Sequence, residues 1–90
     1  MVTSIILMKI QRNKVNEVAE QLAGIEGFSE VFSVTGSYDL VAIARVKDND
    51  SLSKLITNDL QNIEGIEKTD TMLAFKAYSR HDLEAMFDLN

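Results

Sequence analysis

Ile25-Glu26-Gly27 and Ile63-Glu64-Gly65 are the same tripeptide set about 38 positions apart, and that recurrence decides the fold. At the same offset Ile5, Met8 and Lys9 align with Ile43, Val46 and Lys47. Each tripeptide follows a helical pattern, and each helical pattern follows an apolar, strand-like run. The chain therefore reads as one unit of strand, helix, turn and strand, used twice.

Working outward, the elements follow one by one. Residues 2–10 are β-branched and apolar and form a first strand. Asn13 is positioned to cap a helix by accepting a backbone N–H, and Val15, Val18, Ala19 and Leu22 then recur at helical spacing. Gly24 and Gly27 allow positive φ where the chain leaves that helix. Residues 28–35 form a second strand, Gly36-Ser37 a tight hairpin turn and residues 39–47 a third strand. Asn49 or Asp50 caps a second helix with Leu52, Leu55, Ile56, Leu60 and Ile63 on its apolar side. A fourth strand runs from Gly65 to about Tyr78. This is the α+β, ferredoxin-like βαββαβ arrangement. Right-handed crossovers and the 2–3 hairpin give an antiparallel sheet in the order 4-1-3-2.

Both alternation sets of the sheet carry apolar residues, although the helices cover only one face. On the first strand these are Ile5 and Leu7 against Ile6, Met8 and Ile10; on the third, Val41 and Ile43 against Leu40, Ala42, Ala44 and Val46. Apolar surface of that extent seldom stays wet, so a homodimer packed sheet to sheet is expected, the alternative being that the C-terminal segment folds back over the face. The domain proper spans 1–78. Residues 79–90 form a short amphipathic C-terminal helix, with Ser79 and Asp82 as capping box and Leu83, Met86 and Phe87 as its apolar stripe.

Composition bounds the function. Ninety residues fit one domain. Such a chain buries only about 60–65% of its unfolded surface, and with no cysteine it has no disulfide to help, so self-association is favoured. The net charge is −5 and the nine Lys and Arg residues are scattered, which argues against autonomous nucleic-acid binding. The apolar N-terminus is too short to span a membrane, and no cleavage site follows it. A cytoplasmic location is expected.

Little supports catalysis. His81 is the single histidine, so no metal set or nucleophilic triad can be assembled around it. Carboxylates such as Glu17 and Glu20, or Asp48 and Asp50, read as solvated faces. Arg12 precedes the first helix without the glycine-rich cradle of a phosphate site. No cofactor is implied. Thr35-Gly36-Ser37-Tyr38-Asp39 is more suggestive. A plain hairpin explains Gly36 and Ser37 but not Asp39, which enters a central strand where Asp is disfavoured. Turn N–H groups can receive a carboxylate, and Asp39 can receive an ammonium, the two polar ends of an amino acid. Thr69 and Thr71 add hydroxyls at the start of the fourth strand.

The run Val34-Thr35-Gly36-Ser37-Tyr38-Asp39-Leu40, the strand entry Gly27-Phe28 to Val31, and Gly65-Ile66-Glu67-Lys68-Thr69-Asp70-Thr71 together resemble the effector-binding RAM domain (regulation of amino acid metabolism) of the Lrp/AsnC, or feast/famine, regulators. The resemblance covers residues 2 to about 78. It implies a dimer formed through the sheet, dimers gathered into rings such as octamers, and a free amino acid or similar small effector between neighbouring dimers. By match, Gly36, Ser37, Tyr38 and Asp39 lie in the effector loop, and Thr69 and Thr71 line the pocket from the fourth strand. Full-length members carry a helix-turn-helix domain ahead of this one. The chain starts at its first strand and so looks like a stand-alone form, expected to sense amino acids or to co-assemble with full-length regulators. Two other readings remain: a ligand-free adaptor, separated from a sensor by ligand dependence, and a dimeric α+β-barrel enzyme, which would need a polar cleft or a cavity holding His81.

Overall fold

The computed structural model describes residues 1–78 and Arg80. Within them β1 (Val2–Ile10), α1 (Val15–Ala23), β2 (Phe28–Ser33), β3 (Leu40–Val46), α2 (Asn49–Lys54), a π-helical turn (Leu55–Leu60) and β4 (Ile66–Leu73) follow in order. The four strands form one sheet, β2-β3-β1-β4, antiparallel throughout. This is the 4-1-3-2 order expected from the repeat.

Period-two alternation sorts the central strands into two faces. Ser4, Ile6, Met8 and Ile10 of β1 and Leu40, Ala42 and Ala44 of β3 are buried beneath the helices. Ser4 is tolerated there because its hydroxyl donates to the Met72 carbonyl at 2.8 Å. Val18 and Leu22 of α1 are fully buried against that face, with Val15 and Ala19 packed beside them. On the other face Ile5, Leu7, Val41 and Ile43 are only half-buried, and Phe32 and Met72 stand 48% and 46% exposed.

Both helix starts differ from expectation. Asn13 does not cap α1. It takes φ 70°, the left-handed geometry that its short polar side chain tolerates, and Lys14 precedes the helix with no side-chain cap. Asp48, rather than Asn49 or Asp50, caps α2, accepting the Ser51 N–H at 2.8 Å. The second helix then widens into the π turn. Five residues separate Leu55 from Leu60, which an α-helix would place on different sides. The i→i+5 turn brings both into the core.

The repeated glycines make the turns. Gly27 and Gly65 hold φ 110° and 104°, whereas Gly24 stays right-handed at −85° and needs no glycine freedom. The Gly65 carbonyl accepts Gln11 N–H at 2.7 Å and the Gly27 carbonyl accepts Arg45 N–H at 2.9 Å. Each glycine carbonyl thus ties the start of its strand to the neighbouring strand's chain, though at different positions of the repeat. Strand ends are shorter than expected. Residues 34–39 form a loop closed by Val34 N–H to the Asp39 carbonyl at 3.0 Å, not a two-residue turn at Gly36-Ser37. β4 stops at Leu73 because its partner runs out: Leu73 pairs Ser4, Ala74 N–H reaches Thr3, and β1 begins at Val2. The expected helix over 79–90 lies outside the described residues. Among the described residues no helix is long and apolar enough to cross a membrane.

Candidate functional site

The loop between β2 and β3 is the most heavily tethered irregular segment. Asp39 N–H donates to the Met8 carbonyl at 2.8 Å, continuing the β3–β1 ladder past its last pair. The Asp39 carboxylate accepts the Ile10 N–H at 2.7 Å through Oδ2. Ile10 lies two residues past Met8, whose pair with Leu40 is the last of the β1–β3 ladder, so no β3 residue is paired opposite it. This explains an acid at the mouth of a central strand: its side chain supplies an acceptor on the β3 side, where the ladder has ended. Lys9 Nζ lies 3.5 Å from the Ser37 carbonyl. Gly36 has φ 107° with open space where a side chain would stand. The loop thus presents bare backbone at its tip above a fixed base.

Tyr38 extends the tether to the far side of β1. Its hydroxyl donates to Asp70 Oδ2. Asp70 pairs with Leu7 and therefore lies on the sheet face away from the helices. It is half-buried, while Glu67 to Thr69 and Thr71 to Leu73 are exposed.

The two threonines occupy the other face. Thr69 pairs with Met8 and Thr71 with Ile6, both buried under the helices, so their side chains lie on the helix side of the β4 edge. Thr69 lines a cleft of about 370 Å³ with Ile56, Leu60, Ile63 and Ile66, between the π turn and β4. A single chain therefore brings Gly36, Ser37, Tyr38 and Asp39 together in one loop. It leaves Thr69 and Thr71 across the sheet from Asp70 and the Tyr38 hydroxyl. A second cleft, about 510 Å³, lies between Gly27, the end of β3 and α2, and its walls mix Glu26 and Asp59 with Arg45, Lys47 and Lys54.

Sequence reasoning missed Ile10 and Asp70. Asp70 carried the same signal as Asp39, an acid inside a strand, but the flanking threonines drew attention instead. Among the described residues no three His, Cys, Asp or Glu side chains gather as a metal site. His81 lies outside those residues.

Residues 3–83 match the Lrp/AsnC ligand binding domain family. The HTH-type transcriptional regulator FL11 of Pyrococcus furiosus is 34% identical over 77 residues, 86% of this chain and 50% of that protein. The chain thus spans half the length of that curated relative. Among solved structures, TTHA0845 from Thermus thermophilus superposes with a TM-score of 0.83 at 42% identity, covering 89% of this chain and 100% of that one. The NMB0573/L-Met complex from Neisseria meningitidis shares the fold, with a TM-score of 0.78 at 17% identity, covering 88% of this chain and 53% of that one. The chain belongs to the Lrp/AsnC ligand-binding domain family, whose curated relatives are named as transcriptional regulators, which points away from an enzyme.

Proposed function

We propose that this chain is the effector-sensing and assembling part of a regulatory system in the cytoplasm, taking a free amino acid as its effector. The observation that carries the reading is the split of the site. The loop Gly36, Ser37, Tyr38 and Asp39 offers open backbone and a carboxylate, while Thr69 and Thr71 offer hydroxyls on the opposite side of the same sheet. Neither half encloses a small molecule by itself. A second copy that sets its loop beside this chain's β4 edge completes the enclosure, so ligand and assembly become linked. The sheet face left uncovered among the described residues supports a first, sheet-to-sheet homodimer: Ile5, Leu7, Val41, Ile43, Phe32 and Met72 form a continuous apolar surface. Ring oligomers such as octamers then bring loops and β4 edges together. A relative's structure holds L-Met, which fits an effector with an ammonium and a carboxylate.

A second reading has one observation in its favour. Asp39 and Tyr38 already commit polar atoms to Ile10 and Asp70. A loop so engaged also suits an adaptor that co-assembles with full-length Lrp/AsnC regulators and binds no ligand. A thermal-shift screen against the twenty amino acids, paired with light scattering, separates the two. Sensing predicts that one or a few amino acids raise the melting temperature and change the oligomer population. At a hundred times the dissociation constant the stabilisation is about 2.7 kcal/mol. Stable oligomers with no response to any amino acid would leave the adaptor.

A further inference from the structure

Asp70 stands between Thr69 and Thr71 with its side chain on the opposite face. An acid inside a strand is disfavoured, and this one is half-buried in an otherwise exposed stretch of β4. It accepts the Tyr38 hydroxyl from 32 residues away. Tyr38 in turn lies between Ser37 and Asp39; the Asp39 N–H donates to the Met8 carbonyl of β1 and its carboxylate accepts the Ile10 N–H. The loop's other contacts, through Lys9, Met8 and Ile10, all end on β1. Among the described hydrogen bonds, Tyr38 to Asp70 alone joins the loop directly to the strand that carries the two threonines.

We infer that Asp70 is a positioning residue: through Tyr38 it sets the effector loop relative to β4, so that a change at Thr69 or Thr71 is felt at Gly36 and Asp39. This rests on the effector-binding reading for its purpose but not for its geometry. Asp70 does not touch the ligand. Its side chain faces away from the threonine hydroxyls, and its contact is the phenol. The phenol therefore serves positioning and not recognition, and the ligand meets the loop through backbone amides and Asp39. A peptide strand moves as a unit over adjacent residues, so a ligand that draws Thr69 and Thr71 outward also moves Asp70. The Tyr38 ring then carries that displacement to the loop across β1.

The test needs no ligand in its first arm. Hydrogen exchange is followed at the Val34 and Asp39 amides, both hydrogen-bonded in the loop, with β1–β3 ladder amides as internal control. Asp70→Ala and Tyr38→Phe should each speed exchange at those two amides about fivefold, the scale of one ordinary protein hydrogen bond. The control amides should hold. The double variant should exchange no faster than either single one. Asp70→Asn should restore protection, because an amide oxygen still accepts the phenol proton. Unchanged loop exchange in Asp70→Ala and Tyr38→Phe, or additive effects, would overturn the coupling. In the second arm the twenty standard amino acids are titrated into wild type and the same variants. Any that binds wild type should lose about fivefold or more with Asp70→Ala and recover with Asp70→Asn. If Asp70→Asn binds as poorly as Asp70→Ala, the carboxylate charge meets the ligand and the positioning role is wrong. If no amino acid binds wild type while loop exchange responds as expected, the coupling stands and the effector reading fails.

Discussion

Replacing Asp39 separates what holds the loop from what the loop holds. The Asp39 carboxylate accepts the Ile10 N–H at 2.7 Å, and Ile10 is only 5% exposed. Asp39→Ala removes that acceptor just past the end of the β1–β3 ladder. A hydrogen bond to a charged group contributes about 1.5–3 kcal/mol, and a buried donor left alone costs about 1–3 kcal/mol. Asp39 is half-buried, so water replaces part of the loss, and about 1–2 kcal/mol is expected. For a domain of this size each kcal/mol moves the melting temperature by about 4–8 °C, so Asp39→Ala should melt roughly 5–15 °C lower before any ligand is added. Asp39→Asn keeps an oxygen facing Ile10 and should recover more than half of that loss. Calorimetry on the three proteins reads both numbers. An Asp39→Ala protein melting within about 2 °C of wild type would refute this ladder-end role. The same pair interprets ligand screens: a response lost in Asp39→Ala alone reports a collapsed loop, whereas a response lost in Asp39→Asn, with stability largely kept, reports an ammonium contact.

Three further outcomes follow from the packing. Gly65→Ala should destabilise more than Gly36→Ala in denaturant melts, because both glycines hold positive φ but only Gly65 would set a Cβ 3.2 Å from Lys14 and Val18; left-handed strain alone is about 1–2 kcal/mol, and equal losses would show that the Lys14–Val18 contact yields freely. Ile5→Glu, on the bare sheet face, should convert dimer to monomer in sedimentation with its circular dichroism kept, whereas Ile6→Ala, fully buried one residue on, should cost about 2–5 kcal/mol of stability; a dimeric Ile5→Glu protein would remove the sheet-to-sheet interface. The Ser51 backbone N–H, with help from its hydroxyl and from Lys47 and Lys54, holds the Asp48 carboxyl below its ordinary 3.8. A depressed folded pKa contributes stability that is present above 3.8 and lost as pH falls through the lower folded value, so Asp48→Ala should flatten the acid limb of the stability–pH curve below about pH 4, and an unchanged limb would deny the cap.

The fold was legible because one pattern repeated. A single Ile-Glu-Gly signal leaves a turn ambiguous, but two at one spacing, each behind a helix and a strand, leave few topologies, and the β2-β3-β1-β4 order followed from them. Termini were legible less well. Asn13 leaves α1 without the expected cap, and Asp48 takes the cap expected of Asn49 or Asp50, because capping depends on the backbone angle of the residue, which several neighbouring polar residues could have adopted. The π turn left no pattern at all: Leu52, Leu55, Ile56, Leu60 and Ile63 satisfy an ordinary helical stripe, and only the need to bury Leu55 and Leu60 together reveals the wider turn. In the site, the loop was legible residue by residue, while its relation to Thr69 and Thr71 was not. Sequence places residues along strands, but which face each takes depends on register, and a one-residue difference inverts it.

Two acids in strands, Asp39 and Asp70, each give an oxygen to the protein's own loop. That does not remove Asp39 from ligand recognition. A carboxylate offers two oxygens and about four lone-pair directions, so one N–H from Ile10 orients the group and leaves acceptor capacity at a fixed angle. An acid held in this way meets an ammonium without first losing side-chain freedom, which is the main cost of ordering a polar contact on binding. The tether and the binding role then reinforce one another: a loop pinned at β1 by Asp39 and at β4 by Tyr38 keeps its tip amides around Gly36 in one arrangement, ready for a carboxylate. The same pinning ties any ligand-induced shift of the tip to β1 and β4, the central strand and the edge strand of the face left open for a second copy. On the proposed reading an effector would reach an assembly through the sheet itself, and variants that loosen the loop should weaken ligand response and ligand-dependent assembly together.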